Sequence, residues 1–425
     1  MAESDGYGRG ARVLSIGIAS TGLFTFLYFA VASHVLPGAE YGAVSLLWSV
    51  LFVVISVIYR PVEQLLSRTI ARRRAVGLGG HPVRVPLAIQ AGFATVFLAT
   101  ALALRGPLEE LFGSDALYVV FVGATVAYAA SYFARGYLAG HAWFALYGGL
   151  VLFESVSRFL FPVAVAAGVA SGQTAVALGI LAAPVASLLV VPAALARHHG
   201  RAEEPPGAAS ERALTMRSGA SFAVAVAGVQ LAEQTLLNAA VLTARGTAGA
   251  TVAGIVFNAL LITRAPLQLF QAVQTSLLPH LSGLEVTEGH GGFSSAIRRT
   301  VAVIAAFAGV VALALLLVGP WAMDLLFGSE HDYGRVGLAV IAVGMGFHLA
   351  AGTLNQAALA RGRARAAAAA WLACAAAFVA WMLLPVVADE LTRAETGYAG
   401  AAAVLCMLLW LLERRGSAVP ASAYS

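Results

Sequence analysis

A similar segment occurs twice in the chain, as GPLEELFGSD at residues 106–115 and as GPWAMDLLFGSE at residues 319–330. Each copy follows one long apolar run and precedes another. Related segments come downstream of each copy, LAGHA at 138–142 and ARGRA at 360–364, and each opens a further apolar run. The copies lie about 215 residues apart, half of the 425-residue chain. A repeat of this length in an apolar sequence predicts two lobes of the same design around a central cleft.

The composition is that of a multi-pass membrane protein. Hydrophobic residues make up 60% of the chain and charged residues 11%, whereas soluble domains carry about 25% charged residues. Since an apolar run of about 20 residues crosses a bilayer as a helix, the sequence predicts an all-α integral membrane fold with about twelve transmembrane helices in two six-helix bundles. The predicted spans lie near 13–36, 42–66, 85–105, 116–138, 147–170, 175–196, 218–243, 251–277, 299–318, 336–358, 366–387 and 398–412.

Arginine sets the predicted orientation. The chain has no lysine, so its 26 basic residues are all arginine, and most of them fall in loops on the side that holds both termini. By the positive-inside rule both termini are therefore expected in the cytoplasm. The net charge of +5 then reflects topology and attraction to anionic membrane lipids, and we expect no nucleic-acid partner.

The loops divide the chain without supplying a catalytic domain. The longest, RHHGRAEEPPGAASERALTMR at 197–217, is polar and contains proline, as a linker does. We expect an N-terminal six-helix lobe, a cytoplasmic linker, a C-terminal six-helix lobe and a cytoplasmic tail. Their predicted bounds are 1–200, 201–217, 218–415 and 416–425.

Several classes of chemistry are excluded. Without lysine the chain has neither a Walker A loop nor a Schiff-base residue. The sequence also lacks HExxH, CxxC and nucleophile-elbow motifs, so we expect no enzyme, no cofactor and no metal. One enzymatic alternative remains, a membrane glycosyltransferase that binds a metal through Glu330, His331 and Asp332. A solvated acidic turn is the simpler interpretation of these three residues.

Ionisable residues inside predicted spans are costly, roughly 3 kcal/mol each, and each needs a reason. At a rotation of about 100° per residue, several spans turn one polar stripe to a common side, which predicts a hydrated cavity that contains cations. The predicted substrate-binding residues are Arg60, Glu63, Glu233, Arg264, Gln268, Gln271 and Asn355. Two of these, Glu63 and Glu233, are also candidates for coupling to an ion.

Structural roles compete with these assignments. Arg60 and Glu63 are spaced i,i+3, so they could pair with each other or extend to the interface. Glu154 and Arg158 are spaced i,i+4 and predict a structural ion pair within one helix. The glutamines of the eighth predicted span, 251–277, are commonly interhelical contacts in membrane proteins.

Four features together resemble a known superfamily: LPGAEYGAVSLLWSV after the first predicted span, SRTIARRRA after the second, the LFGS elements and the ARGRAR turn. They resemble the multidrug/oligosaccharidyl-lipid/polysaccharide (MOP) exporters, and within them the Wzx-like polysaccharide-biosynthesis flippases. The resemblance implies movement of a polyprenyl-phosphate-linked saccharide across the bacterial cytoplasmic membrane, with cavity arginines holding the anionic group. The matching positions are Arg60 and Arg264, and other polysaccharide-assembly proteins are possible partners.

The sequence therefore predicts a flippase for a polyprenyl-(pyro)phosphate-linked sugar that works by alternating access. A cation-coupled multidrug antiporter of the same fold is the first alternative, since that branch of the superfamily normally has acidic residues in its lobes and Glu233 fits the pattern. The membrane glycosyltransferase is the second alternative.

Overall fold

The computed structural model describes residues 17, 20–25, 27–29, 31, 32, 34–75, 83–190, 215–247, 259, 260, 289–327, 333–384 and 386–417. These residues form the twelve α-helices given below and contain no strand, so the predicted all-α class is confirmed. The helices are α1 (Gly38–Ile58), α2 (Arg60–Ala75), α3 (Arg84–Ala103), α4 (Arg105–Phe112), α5 (Asp115–Gly140), α6 (Phe144–Ala166), α7 (Gly172–Ser187), α8 (Met216–Thr247), α9 (Gly289–Phe327), α10 (Arg335–Ala360), α11 (Ala364–Leu383) and α12 (Glu390–Ser417).

Ten helical stretches in the described part of the chain are long and apolar enough to cross a membrane. They coincide with ten of the twelve predicted spans. Of the first predicted span, the structure describes a shorter apolar helix, Ser20–Phe29. The eighth predicted span, 251–277, lies almost wholly outside the described residues.

The chain divides into two compact units, residues 1–227 and 228–425. We refer to them as the N unit and the C unit. The division falls within α8, whereas the sequence places the second lobe at 218 after a linker at 201–217. Most of that linker and of the tail at 416–425 lie outside the described residues, so the predicted bounds stay predictions.

The N unit is built around α5. This helix packs against α2 and α7, while α6 packs against α7. The buried apolar core joins aromatic and aliphatic side chains from several helices, including Tyr28, Leu51, Phe121 and Ile180. In the C unit α10 packs against both α9 and α12, and Met345 and Leu349 of α10 lie in a buried cluster with Ile304.

The second pair of repeated segments forms the same turn in both units. Helices α5 and α10 each have 26 residues, and their first residues, 115 and 335, differ by 220. After α5 the N–H of Trp143 donates to the carbonyl of Leu138 at 2.9 Å, and after α10 the N–H of Arg363 donates to Ala358 at 2.8 Å. This closure is a helix-ending Schellman turn, which places one residue in the left-handed region. That residue is Ala142 (φ 57°) in the N unit and Gly362 (φ 75°) in the C unit.

The first pair of repeated segments folds differently in the two copies. Just before the first copy the helix is interrupted at Leu104, and the short helix α4 ends at Phe112. Gly113 caps it in the left-handed conformation, with a φ of 69°. In the second copy α9 continues through Pro320 to Phe327. Arg105 stabilises the first copy by contacting Glu109 at 2.5 Å and Asp115 at 3.0 Å. These two acceptors raise the pKa of the exposed Arg105 guanidinium above its ordinary value.

The loop before α12 contains a side-chain cap. The Asp389 carboxylate accepts hydrogen bonds from the Thr392 hydroxyl at 2.6 Å and the Thr392 N–H at 2.8 Å. Because these bonds favour the ionised form, they lower the pKa of Asp389 below its ordinary value. Arg393 then donates to the carbonyl of Val387 at 2.8 Å, so the start of α12 is fixed to the loop that precedes it.

Candidate functional site

A helix break places the first two candidate residues. The second predicted span is interrupted at Tyr59, which separates α1 from α2, and Pro61 follows at the second position of α2. Proline is tolerated there because the first turn of a helix has no partner for its N–H. The break starts α2 at Arg60, which is half-buried, and places Glu63 in its first turn, where it is 7% exposed.

Glu63 belongs to a buried set of charges on three helices. Its carboxylate accepts a hydrogen bond from the Tyr147 hydroxyl of α6 at 2.8 Å. Two arginines attract this carboxylate electrostatically, Arg60 on the same helix and Arg135 on α5. Arg135 in turn contacts the Glu154 carboxylate of α6 at 2.5 Å. We call Arg60, Glu63, Arg135, Tyr147 and Glu154 the N-unit charge network.

Close helix packing and further polar contacts hold this network in place. An added side-chain carbon at Gly136 would lie 2.8 Å from the Glu63 carbonyl oxygen, so glycine lets α5 approach α2 beside the network. Ser131 donates to Glu154 at 3.1 Å, and the Arg135 guanidinium lies 4.5 Å from the centre of the Tyr132 ring. Glu63, Arg135 and Glu154 therefore each meet both an opposite charge and a polar or aromatic group, as largely buried ions require.

The predicted ion pair between Glu154 and Arg158 is not formed, and each side chain contacts other residues. Although the two share α6 at i,i+4, Glu154 pairs with Arg135 and Ser131 of α5. Arg158 instead donates to the Thr25 hydroxyl at 2.8 Å and approaches the Tyr128 hydroxyl at 3.5 Å. Spacing along one helix cannot reveal a competing partner on a neighbouring helix, which is why the sequence favoured the local pair.

Arg135 is the functional candidate that sequence reasoning missed. It occurs in YFARGYLAG, near the end of the predicted span 116–138, where an arginine is easily assigned to the interface. In the structure its side chain is 12% exposed and its charge is directed to Glu154. The available signal was the neighbouring Gly136, because a small residue at that point permits the close helix contact that buries the arginine.

The C unit has a smaller polar group. Glu233 of α8 accepts a hydrogen bond from Gln230 at 3.0 Å and lies 3.8 Å from the Nε2 atom of His348 on α10. The His348 ring is 2% exposed, lies 5.5 Å from the Trp371 ring and is stacked 6.1 Å from the Tyr398 ring. The histidine is thus a bridge between an acidic side chain and an aromatic cluster.

The remaining predicted site residues have separate outcomes. Asn355 is buried at 4% exposure on α10, and its side-chain oxygen has no hydrogen-bond partner. Arg264, Gln268 and Gln271 lie outside the described residues, as do Glu330, His331 and Asp332. Among the residues that the structure describes, no group of three His, Cys, Asp or Glu side chains could hold a metal.

Solved structures show which fold this arrangement belongs to. A MATE structure in the bent conformation superposes with a TM-score of 0.81 at 13% identity, covering 97% of this chain and 95% of that one. The chain has the MATE fold. A variant of the Vibrio cholerae MATE transporter VcmN matches at a TM-score of 0.77 and 14% identity, covering 99% of this chain and 98% of that one.

A third structure of the MATE fold is a MOP superfamily transporter from Pyrococcus furiosus. It matches at a TM-score of 0.80 and 13% identity, covering 97% of this chain and 95% of that one. The reversed polarity of that transporter's binding pocket suggests a different function for it. No family model and no curated protein matches the sequence. The predicted two-lobed fold is confirmed, while these identities carry no information about a Wzx-like subtype.

Proposed function

We propose that this chain is a flippase that moves a polyprenyl-(pyro)phosphate-linked saccharide across the bacterial cytoplasmic membrane by alternating access. The substrate would keep its lipid tail in the bilayer while the anionic headgroup crosses through the protein. The proposal includes both termini in the cytoplasm and other polysaccharide-assembly proteins as partners. It rests on one observation, the excess of positive charge inside the N unit.

The excess is found by counting the charged side chains of the N-unit charge network together with Arg158. The N-unit charge network contributes Arg60 and Arg135 against Glu63 and Glu154, which sums to zero. Arg158, one helical turn after Glu154 on α6, adds one further positive charge. An interior with three arginines and two carboxylates favours an anionic guest, because each guanidinium can bind a phosphate with two parallel hydrogen bonds. In the Pyrococcus furiosus transporter, reversed polarity of the binding pocket likewise suggests a different function.

A reconstituted assay tests the proposal directly. Vesicles that contain the purified chain and a fluorescent polyprenyl-diphosphate-linked sugar should expose the label to an added quencher faster than vesicles without protein. Arg60→Ala and Arg264→Ala should each lower this rate about tenfold or more, because each removes a charge-assisted contact.

The matched control is Arg105→Ala, which removes an exposed arginine at the start of the short helix α4 and should leave the rate unchanged. Equal rates in vesicles with and without the chain would disprove the flippase function. Normal rates in both Arg60→Ala and Arg264→Ala would remove the charged-interior mechanism.

A cation-coupled multidrug antiporter is the second candidate, and the group around Glu233 favours it. A carboxylate 3.8 Å from a histidine imidazole can exchange a proton or bind a cation as its neighbour changes charge. On this alternative, vesicles should transport tetraphenylphosphonium when a pH gradient is applied, and Glu233→Gln should abolish the transport. The flippase proposal expects no gradient-driven transport of this cation.

A further inference from the structure

Arg158 is a buried cation for which the described part of the chain provides no partner of opposite charge within ion-pair distance. It is 2% exposed in the middle of α6. Among the described residues, none of the ion pairs within 4.0 Å includes it. Its two hydrogen-bond partners, Thr25 and Tyr128, are neutral hydroxyls, and its Nε atom has no hydrogen-bond partner.

This arrangement is expensive for a purely structural residue. A guanidinium stays protonated in proteins, and burying an ion without a counter-charge costs several kcal/mol. The Trp48 ring lies 4.2 Å from the guanidinium and recovers part of that cost through a cation–π contact. The hydroxyls and the ring orient the cation without neutralising it, so the group is prepared for an anion.

The surroundings indicate an amphiphilic anion. Trp48 is followed one helical turn later by Phe52, whose ring lies 6.1 Å away and which is 36% exposed. An apolar surface therefore extends from the ring that covers Arg158, and a lipid chain attached to the anion would have a place to lie.

We propose that Arg158 binds the phosphate group of a lipid headgroup, at a site completed by Thr25, Tyr128 and Trp48. We call these four residues the Arg158 site. The guanidinium supplies two parallel donors for phosphate oxygens and the two hydroxyls supply further donors. Because Trp48 covers the guanidinium in this structure, the ring moves aside when the ligand enters. The proposal rests on the flippase function and adds to it a phosphate contact separate from Arg60 and Arg264.

The test measures binding by the purified full-length chain in neutral detergent. The probes are farnesyl phosphate, farnesol and inorganic phosphate, and the readout is the thermal unfolding midpoint at increasing probe concentration. Farnesyl phosphate should raise the midpoint of the unmodified chain, and Arg158→Gln should weaken its affinity about tenfold or more. Farnesol should act equally on both proteins, and Arg105→Gln should bind like the unmodified chain.

The probes also separate two sources of phosphate. If inorganic phosphate binds as tightly as farnesyl phosphate, the site takes free phosphate and the lipid proposal is overturned. Equal affinity of Arg158→Gln and the unmodified chain for farnesyl phosphate overturns it as well. If Arg158→Gln does not fold, Arg158→Lys replaces it: lysine keeps the charge without the bidentate fork, so its affinity should fall about threefold or more, and unchanged affinity again overturns the site.

Failure of the site and failure of the function give different results. If labelled lipid-linked sugar crosses vesicles at the same rate with Arg158→Gln, the flippase function stands and the site is wrong. If farnesyl phosphate binding depends on Arg158 while no lipid-linked sugar crosses, the anion site stands and the function is wrong.

Discussion

The two units contain the same helical hairpin, but its buried side chains include charged residues in the N unit and are neutral at the same positions in the C unit. Helices α5 and α6 in the N unit correspond to α10 and α11 in the C unit, with an offset of 220 residues and the same Schellman turn between them. Four buried or nearly buried positions show the contrast, Tyr128 with His348, Arg135 with Asn355, Glu154 with Cys374, and Arg158 with Phe378. One hairpin holds an ion pair and an additional cation where the other holds neutral side chains.

This contrast separates what the backbone requires from what function adds. Because the C-unit hairpin forms with Asn355 and Cys374 buried at 4% exposure each, the helical pair does not need an ion pair to pack. The charges of the N unit are therefore additions to a scaffold that folds without them. Buried ion pairs are weak sources of stability compared with packed apolar groups, which supports a functional reason for keeping them.

The largest expected effect comes from breaking the ion pair on one side only. Glu154→Gln leaves the Arg135 guanidinium largely buried without its carboxylate, and the free energy of unfolding in detergent should fall by about 3–5 kcal/mol. The double variant Arg135→Asn with Glu154→Cys transplants the C-unit residues and should recover most of that loss.

Cys374→Ala is the matched control in the C unit and should cost about 1 kcal/mol, since it removes a single buried sulfur. The comparison fails if Glu154→Gln unfolds at the same denaturant concentration as the unmodified chain, or if the transplanted pair is less stable than the single variant.

A medium effect is expected at the contact between α5 and α2. Gly136 corresponds to Gln356 in the C unit, so the two hairpins differ in how closely a neighbour can approach. Gly136→Ala would force its new carbon against the Glu63 backbone, and we expect a loss of about 1–3 kcal/mol in unfolding free energy.

Gly92→Ala in α3 is the control, because a carbon added there meets nothing within 4 Å. It should be neutral or stabilising by up to about 1 kcal/mol, as alanine favours helix. Chemical denaturation of both variants checks the difference, and equal stabilities would show that the close contact does not constrain α5.

The smallest effect is expected at the shared turn. Ala142 adopts a left-handed conformation that suits Gly362, its counterpart. Ala142→Gly should therefore stabilise the chain by about 0.5–1 kcal/mol, the relief of strain less the entropy that glycine loses on folding. The reverse change, Gly362→Ala, should destabilise by about 1 kcal/mol. Thermal unfolding midpoints that move in the same direction for both variants would contradict the equivalence of the turns.

Much of the fold was predictable because its cause is local. Long apolar runs specify helices in a membrane regardless of their neighbours, and ten spans were located this way. The repeated LAGHA and ARGRA segments also anticipated the two equivalent turns. By contrast, the similarity of the two GP and LFGS segments did not anticipate that α4 would be a separate short helix while α9 continues through the same region.

The candidate site was only partly predictable because it depends on contacts between helices. Glu63 was identified as buried and polar, yet its bond to Tyr147 joins residues 84 positions apart. Arg135 was overlooked, and Arg158 was paired with the wrong residue, since helical spacing describes one helix at a time.

Sequence patterns were enough to establish that this protein is helical, apolar enough to cross a membrane many times, and built from a repeated plan. Those properties arise from hydrophobicity and backbone hydrogen bonding, which act along the chain. Tertiary structure alone decided which charges neutralise one another. The strength of an ion pair depends on the distance between the charges and on their burial. The packing of α6 against α5 brings Glu154 into contact with Arg135, whereas Arg158 contacts neutral side chains.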